Sequence, residues 1–258
     1  MIITLISANI IWEEKQVNLD NYSRLLNNLE YKSDVILFPE MFSTGFTMNT
    51  QLIETMEGVS VNWLRKESCR RGAAIYASVP VEQYNRGIFA YPTGEFVYYD
   101  KRHLFSMGDE HRVYKAGDKR VTAKFRGVTF LLNICYDIRF PVWSRNIDNE
   151  YDVLLNIASF PGSRIEAAHI LSRARAVENQ AYCLFVNRTG SDLNGDYPAS
   201  SLAVDYKGAL IGEEIAIEAS DKRSGYQVIK VEIDVDKLRL FREKFQAWRD
   251  ADKFNILI

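Results

Sequence analysis

Short apolar segments rich in β-forming residues recur along the chain and alternate with amphipathic stretches of helical period. The strand-like segments are MIITLIS, DVILFP, AAIYASVP, GIFAYP, EFVYYD, GVTFLLNIC, DVLLNIAS, AYCLFVN, SLAVDY, ALIGEE and YQVIKVEI. Helical patterns lie at 18–29, 59–71, 164–179 and 236–244. Continuous apolar strands such as DVILF indicate sheets covered on both faces, whereas turns at 91–94 and 206–208 indicate antiparallel hairpins. This order predicts a mixed, multilayer α/β sandwich.

The composition is that of a globular protein with a sizeable core. Hydrophobic residues make up 47% of the 258 positions and charged residues 26%, and no linker divides the chain, so we expect one domain over residues 1–258. Lys and Arg total 32 against 34 Asp and Glu, and no basic stripe stands out, so nucleic acid is not an expected partner. The opening apolar run is too short to span a bilayer, and we expect no membrane association.

Three cysteines, Cys69, Cys135 and Cys183, are widely separated and form no CxxC pair. That pattern predicts free thiols in a reducing cytoplasm. The three histidines lack metal-site spacing and are expected to have structural or surface roles; they are His103, His111 and His169. With no HExxH motif, phosphate-binding loop or dinucleotide glycine motif, we expect no metal and no cofactor.

Cys135 lies in NICYDIRFP, residues 133–141, where an apolar strand ends shortly before a helix start at Pro141. A thiol in such a strand–turn–helix position resembles a nucleophile elbow, where backbone N–H groups and a helix N-terminus favour the thiolate. A free cysteine is also commonly a small buried hydrophobe. From this stretch alone the two interpretations are evenly balanced.

Three charged residues also follow strand-like or loop segments, and each is a weak signal by itself. Glu40 comes directly after DVILFP, at the strand end where open α/β sheets place ligands, although a turn cap is the commoner role for such a residue. Lys101 ends EFVYYDK and would ordinarily be a solvated edge charge. Glu110 lies in a loop, where most acidic residues are exposed and have no chemical role.

Taken together, FPEMF at 38–42, YDKRHLF at 99–105 and NICYDIRFP at 133–141 resemble the Glu-Lys-Cys signature of the nitrilase (carbon-nitrogen hydrolase) superfamily, in the same order. The similarity runs from the first strand to about Ile233. It implies a four-layer α-β-β-α sandwich of the nitrilase type that forms a homodimer, with the C-terminal segment at about 235–258 contributing to the interface. Within the superfamily, the segments around Lys101 and Cys135, RARAVENQAYCLFVNR and REKFQAWRDAD resemble the bacterial omega-amidase branch.

The resemblance implies hydrolysis of the terminal amide of 2-oxoglutaramate or 2-oxosuccinamate to the acid and ammonia, through a cysteine thioester. Cys135 would be the nucleophile and Glu40 the base that takes its proton and delivers it to the leaving nitrogen. Lys101 and the Tyr136 backbone N–H would stabilise the oxyanion. Glu110 would position Lys101 and Glu40 or bind the substrate amide.

Three residues are candidates for binding the small-molecule amide substrate. A bidentate arginine suits a remote carboxylate, and Arg139, four residues after Cys135, is the nearest candidate. The alternative is a structural ion pair of Arg139 with Asp137. Tyr136 and Phe42 flank the motifs, as do Phe46, Met48 and Trp143, and these residues could form a pocket wall, although most are equally compatible with plain core packing.

Two segments depart from the omega-amidase pattern, YPASS at 197–201 and SFP at 159–161. They leave substrate preference open more than chemistry. The alternatives are another reaction of the same scaffold, such as N-carbamoyl amide or nitrile hydrolysis, and a non-catalytic binder of small molecules.

Overall fold

The computed structural model of the protein describes residues 1–216 and 225–256. Two β-sheets form its centre. The strands, in chain order, are β1 Ile2–Ser7, β2 Val35–Leu37, β3 Ala74–Val81, β4 Tyr84–Ala90, β5 Phe96–Asp100, β6 Thr122–Phe125, β7 Val128–Ile134, β8 Val153–Ala158, β9 Tyr182–Asn187, β10 Gly190–Asp192, β11 Gly195–Tyr197, β12 Leu202–Val204, β13 Leu210–Ile211, β14 Glu213–Glu214 and β15 Gln227–Glu232. One sheet has the order β14-β15-β1-β2-β3-β4-β5 and the other β13-β12-β9-β8-β7-β6, while β10 and β11 form a separate hairpin.

Helices cover the outer faces of both sheets. In chain order, the helices of the described residues are α1 Lys15–Asn27, α2 Val59–Arg71, α3 Glu110–Val113, α4 Pro141–Ser144, α5 Ile165–Glu178 and α6 Val235–Lys244, of which α1, α2, α5 and α6 form the outer layers. Apolar residues of α1 and α2 pack on the seven-stranded sheet, and residues of α5 and α6 join the core around the six-stranded sheet. The expected four-layer α-β-β-α sandwich is therefore confirmed.

The alternation of side chains along each strand divides the core into its layers. In β2, Val35 and Leu37 face the space between the sheets, whereas Ile36 packs under α1 and α2. Ile3 and Leu5 of β1 follow the same rule, since both face the interior between the sheets. These strands are apolar on both faces because each face is covered, which explains their continuous hydrophobic pattern.

Strand directions bring several strand ends to one edge of the sandwich. β2 is parallel to β3, and β3, β4 and β5 are successively antiparallel, so β2 and β5 point the same way. In the second sheet β7, β8 and β9 are parallel, and a parallel bridge between Asn9 and Thr189 shows that β9 points the same way as β1, which is parallel to β2. Residues that directly follow β2, β5 and β7 can therefore meet, and these are the positions of the three sequence motifs.

Most predicted elements are present, with two differences of detail. The first helix begins at Lys15 instead of residue 18, because the buried Asn18 side chain bonds both backbone groups of Ile11 from within the helix. The segment ALIGEE forms two strands, not one: β13 belongs to one sheet and β14 to the other. They are separated by Gly212 at φ +100°, a conformation that glycine adopts without strain.

The two predicted hairpins are confirmed, since β4 pairs antiparallel with β5 and β12 with β13. In the C-terminal tail, Ile256 packs partly buried against the core, and residues 257 and 258 lie outside the described part of the chain. No helix within the described ranges is long and apolar enough to cross a bilayer.

Candidate active site

A buried cluster of four polar side chains lies where β2, β4 and β5 meet the start of α3. Lys101, directly after β5, donates from Nζ to Glu40 Oε1 at 2.7 Å and to Glu110 Oε1 and Oε2 at 3.0 and 2.9 Å. Asn85 Nδ2 of β4 donates to the same Glu40 oxygen at 2.8 Å and to Glu110 Oε1 at 2.9 Å. All four side chains have 0% exposure. Lys101 thus joins Glu40, 61 residues before it, and Glu110, 9 residues after it, in one hydrogen-bonded unit.

The charges of this cluster hold one another in place. Burial alone would lower the pKa of Lys101, but the negative charges of Glu110 and Glu40 outweigh burial, so its pKa is raised and the ammonium keeps its proton. Burial raises the pKa of Glu110; Lys101 offsets part of this rise and the charge of Glu40 adds to it. The cluster thereby keeps one ammonium between two carboxyl groups in a medium where neither sign would be stable alone.

Cys135 follows β7 in a strained backbone conformation. Its φ is +49°, in the left-handed region that residues with a Cβ rarely adopt, and it opens a short 3₁₀ turn, Cys135–Arg139. Asp137 secures the turn by accepting from the Ile134 N–H at 3.0 Å. The first N–H groups of a helical turn have no partner within it, and that of Tyr136, the residue after Cys135, is one of them. This is the geometry of a nucleophile elbow.

Asp137 links this elbow to the chain around Lys101. It accepts from the Tyr99 hydroxyl at 2.8 Å and from the His103 backbone N–H at 3.0 Å, and it lies 2.8 Å from His103 Nδ1. The His103 ring stacks on Phe140, with ring centroids 3.7 Å apart. His103 therefore has the structural role that we expected of the histidines.

The thiol of Cys135 lies next to Glu40. Burial raises the pKa of Cys135 well above its usual range, and the negative charge of Glu40 raises it further, while Lys101 and the Ser159 backbone lower it. At neutral pH this group is therefore a thiol and not a thiolate. Glu40 Oε2 is buried and has no hydrogen-bond partner among the described residues, so one oxygen of this carboxylate can accept a further hydrogen bond.

A cavity of about 350 Å³ opens onto Cys135 and Glu40. Its wall is mainly aromatic and apolar, and its polar members include Tyr136, Arg139 and Arg164. The remaining lining residues come from several elements: Trp12, Phe46, Met48, Phe105, Met107, Gly108, Ser159, Phe160, Pro161, Leu193, Asn194 and Tyr197. Such a volume suits a small organic substrate that enters with one end on the thiol. Lys101 and Glu110 are fully buried and do not belong to this wall.

The hairpin of β10 and β11 closes one side of the cavity. It presents Leu193, Asn194 and Tyr197 to the wall. A buried ion pair between Arg188 and Asp192 anchors it, and the Tyr197 hydroxyl donates to Asp192 Oδ1 at 3.2 Å. Within the described ranges, no group of three or more His, Cys, Asp or Glu side chains is arranged to hold a metal ion.

The carbon-nitrogen hydrolase family model matches residues 2–243. The chain belongs to the carbon-nitrogen hydrolase family. Omega-amidase YafV of Escherichia coli K12 is 40% identical, and the match covers 98% of each protein. The 2-oxoglutaramate amidase of Bacillus subtilis is 29% identical, with 97% of each chain covered.

Solved structures agree with this assignment. XC1258 from Xanthomonas campestris, described as a CN-hydrolase superfamily protein with an arsenic adduct in the active site, has a TM-score of 0.88 at 34% identity. The match covers 99% of this chain and 98% of that chain. The chain is thus a carbon-nitrogen hydrolase with the nitrilase-type fold, as its three motifs predicted, and an amidohydrolase.

The structure brings together most of the residues singled out in the sequence, with one exception. Tyr136 and Arg139 lie on the cavity wall beside Cys135 and Glu40. No ion pair joins Arg139 to Asp137 in the described part of the chain. The Asp137 carboxylate accepts instead from the backbone N–H groups of Ile134 and His103. Phe42 does not reach the cavity.

Phe42 is instead fully buried among aromatic side chains outside the cavity. Its ring centroid is 5.3 Å from that of Tyr22, 5.7 Å from Phe38 and 5.5 Å from Trp63. Phe46, which the sequence also offered as a wall residue, lines the cavity instead. The positive φ of Met41, +44°, turns the chain after Glu40, and strand alternation could not predict this turn.

Sequence reasoning missed Asn85, Trp12 and Arg164. Asn85 is an uncharged residue in the strand-like stretch before GIFAYP, and nothing local distinguishes it from an edge or turn asparagine. Trp12 lies in the loop between β1 and α1, and Arg164 lies just before α5. Their positions on the cavity depend on how distant loops pack, which local patterns do not encode.

Proposed function

We propose that this hydrolase is an omega-amidase that converts the terminal amide of a 2-oxo acid amide, such as 2-oxoglutaramate, to the acid and ammonia. The observation that carries the proposal is the unpartnered Glu40 oxygen at the Cys135 thiol, in a small cavity that also contains two arginines. The names of the relatives, an omega-amidase and a 2-oxoglutaramate amidase, point to the same substrate class.

In the proposed first half-reaction, Cys135 Sγ attacks the amide carbon while its proton passes to Glu40. The oxyanion receives the Tyr136 N–H and the positive charge of Lys101. The Lys101 ammonium already donates to Glu40 Oε1 and to both oxygens of Glu110, so what it contributes to the oxyanion is its positive charge in a buried site. Glu40 then returns the proton to the nitrogen, the C–N bond breaks, ammonia leaves and a thioester remains.

In the second half-reaction, Glu40 takes a proton from water as the water oxygen attacks the thioester carbon. The C–S bond breaks, the acid is released and the sulfur of Cys135 regains a proton. Glu110 would not touch the substrate. It is a positioning residue, because it binds Lys101 through both oxygens and receives the Phe105 N–H at 2.6 Å.

Arg139 would receive the remote carboxylate of the substrate. It is half-buried on the cavity wall and has no carboxylate partner among the described residues, so its charge is available to a ligand. Tyr136 would pack against the aliphatic part of the substrate. Its ring is already fixed edge-on to Phe105 and Phe140, at 5.3 and 5.1 Å.

The experiment is ammonium release from 2-oxoglutaramate, compared with glutamine, an N-carbamoyl amino acid and a simple nitrile. We expect the highest kcat/KM for 2-oxoglutaramate and none for the Cys135→Ala variant, which lacks the nucleophile. Preferred turnover of the carbamoyl compound or the nitrile would assign another reaction of the same scaffold. No turnover of any ω-amide by the wild type would overturn the proposal.

We further propose a cytoplasmic, single-domain protein that forms a homodimer through the segment 235–258, of which residues 257 and 258 lie outside the described part. The three free cysteines support a reducing compartment.

The evidence for the dimer lies in the segment 235–258. Leu240 and Phe245, 54% and 58% exposed, give the segment an apolar surface. Light scattering should therefore give a dimer mass that falls in Leu240→Glu. The matched change Val17→Glu, on exposed α1, should leave it unchanged, and a wild-type monomer would refute the dimer.

A further inference from the structure

The charged groups of the cavity wall are unevenly distributed. Three ionisable side chains of formal charge line it: Glu40, which is the proposed base, and the arginines Arg139 and Arg164. Away from Glu40 the cavity is therefore positive. A substrate that places its amide on Cys135 and an anionic group at the other end complements this distribution.

Among the described residues, no carboxylate pairs with Arg164. Most arginines in the described ranges bond a carboxylate or a backbone carbonyl, as Arg175 and Arg188 do. Within those ranges, Arg139 and Arg164 have no side-chain hydrogen bond and no carboxylate within 4.0 Å, although both are half-buried. A half-buried guanidinium without a partner is costly unless a ligand supplies the charge.

The Arg164 guanidinium is nevertheless held in position. Its Cζ atom lies 4.6 Å from the centroid of the Phe105 ring, a cation–π contact. The Phe105 backbone N–H in turn donates to Glu110 Oε2 at 2.6 Å, so the platform under Arg164 is connected to the buried catalytic cluster. Arg164 also directly precedes α5, so the positive end of that helix dipole lies next to it.

We infer that Arg164 is a specificity-determining residue that binds the carboxylate of the substrate together with Arg139, so that the site selects ω-amides of 2-oxo acids over neutral amides. The inference rests on the proposed amidase function and extends it. The two arginines come from different segments, the turn after Cys135 and the turn before α5. They can therefore contact different oxygens of one 2-oxo acid group, whereas a single bidentate arginine could contact only one pair of those oxygens.

The test uses two substrates that differ only at the anionic end. 2-Oxoglutaramate carries the carboxylate, and 4-oxopentanamide has a methyl group in its place. For Arg164→Gln we expect kcat/KM for 2-oxoglutaramate to fall about ten- to a hundredfold, mainly through KM, because a charge-assisted hydrogen bond made in ground and transition states is lost. kcat/KM for 4-oxopentanamide should change little, which also shows that the variant is folded.

Two further variants sharpen the result. Arg164→Lys keeps the charge without the planar fork and should recover part of the loss for 2-oxoglutaramate. Arg173→Gln on α5, whose guanidinium bonds the Gly208 carbonyl outside the cavity, should leave both substrates unaffected. An equal fall for both substrates in Arg164→Gln would assign a merely structural role and overturn the inference, as would no change for either.

A binding measurement separates failure of this inference from failure of the proposed function. Cys135→Ala protein should bind the product 2-oxoglutarate, and adding Arg164→Gln should weaken that binding about tenfold or more, as measured by calorimetry. If the wild type hydrolyses no ω-amide, the amidase proposal fails while this measurement still tests the arginine. Equal affinity with and without Arg164 would overturn the carboxylate contact.

Discussion

Asn85→Asp tests how the buried cluster of Glu40, Lys101 and Glu110 is held together. The amide nitrogen of Asn85 donates to both glutamates, at 2.8 and 2.9 Å, and the whole side chain is buried. Aspartate has the same shape but no donor, so it replaces two hydrogen bonds by a third carboxyl group facing Glu40 and Glu110. The repulsion among the carboxylates and the loss of the two donors both lower the stability of the folded protein.

The expected cost follows from those two bonds. A hydrogen bond to a charged group contributes about 1.5–3 kcal/mol, so losing two costs about 3–6 kcal/mol at neutral pH. In a protein of this size about 1 kcal/mol shifts the Tm by roughly 2–4 °C, so we expect a fall of about 6 °C or more. Turnover of 2-oxoglutaramate should also fall, because Glu40 Oε1 loses one of its two donors.

The cost should depend on pH with a definite sign. The new carboxyl at position 85 is buried beside two carboxylates, so its pKa in the folded protein lies above its value in the unfolded chain. Such a group is neutral in both states at low pH, and its destabilisation grows as the pH rises above the unfolded pKa of about 3.9. The difference in Tm between wild type and variant should therefore be smallest near pH 4 and widen toward pH 7.

Calorimetric melts of wild type, Asn85→Asp and Asn85→Ala across this pH range measure the effect. Alanine removes the same donors without adding a charge, so its Tm difference from wild type should vary much less with pH. An Asn85→Asp protein within about 1 kcal/mol of wild type at pH 7 would refute the reasoning, given the size of the bonds removed. A Tm difference that does not change with pH would refute the electrostatic part.

Three other changes test separate parts of the site. In Glu40→Gln, kcat/KM should fall about 10²–10⁴-fold through loss of the base. The pH midpoint of Cys135 alkylation, followed by peptide mass spectrometry, should move down, because the charge of Glu40 raises the pKa of that thiol. An upward shift of this midpoint would contradict the expectation. Lys101→Met should move the midpoint up, since Lys101 lowers that pKa, and reduce kcat about a hundredfold or more; unchanged turnover would exclude a role at the oxyanion. Phe42→Ala should lower the free energy of unfolding by about 3–5 kcal/mol in denaturant titrations and leave the preference among amide substrates unchanged. Phe46→Ala on the cavity wall should change that substrate preference. A shifted preference in Phe42→Ala would contradict its place in the core.

The sequence predicted the layers because strand and helix patterns are local, and the combination of three motifs in order predicted the family. Continuous apolar strands identified sheets covered on both faces, and the motifs around Glu40, Lys101 and Cys135 lie directly after strands that end at one edge. Glu110 is the first residue of α3, which is too short to give a helical pattern. Like Glu40 and Lys101, it was singled out only through the family resemblance.

The features that could not be predicted depend on packing between distant segments. Asn85 acts through two glutamates 45 and 25 residues away, and neither distance leaves a local signal. Phe42 and Phe46 are equally apolar, and only the turn at Met41 decides which one reaches the cavity. Arg164 resembles any arginine before a helix until the Phe105 ring is seen beneath it.

The central claim is that the Cys135 sulfur carries the acyl group between the two half-reactions. Mass spectrometry of protein quenched in acid during turnover of 2-oxoglutaramate tests it most directly. We predict an added mass equal to the substrate minus ammonia, located on the peptide that contains Cys135 and absent from Cys135→Ala. Turnover without any adduct, or an adduct on Cys69 or Cys183, would contradict the account.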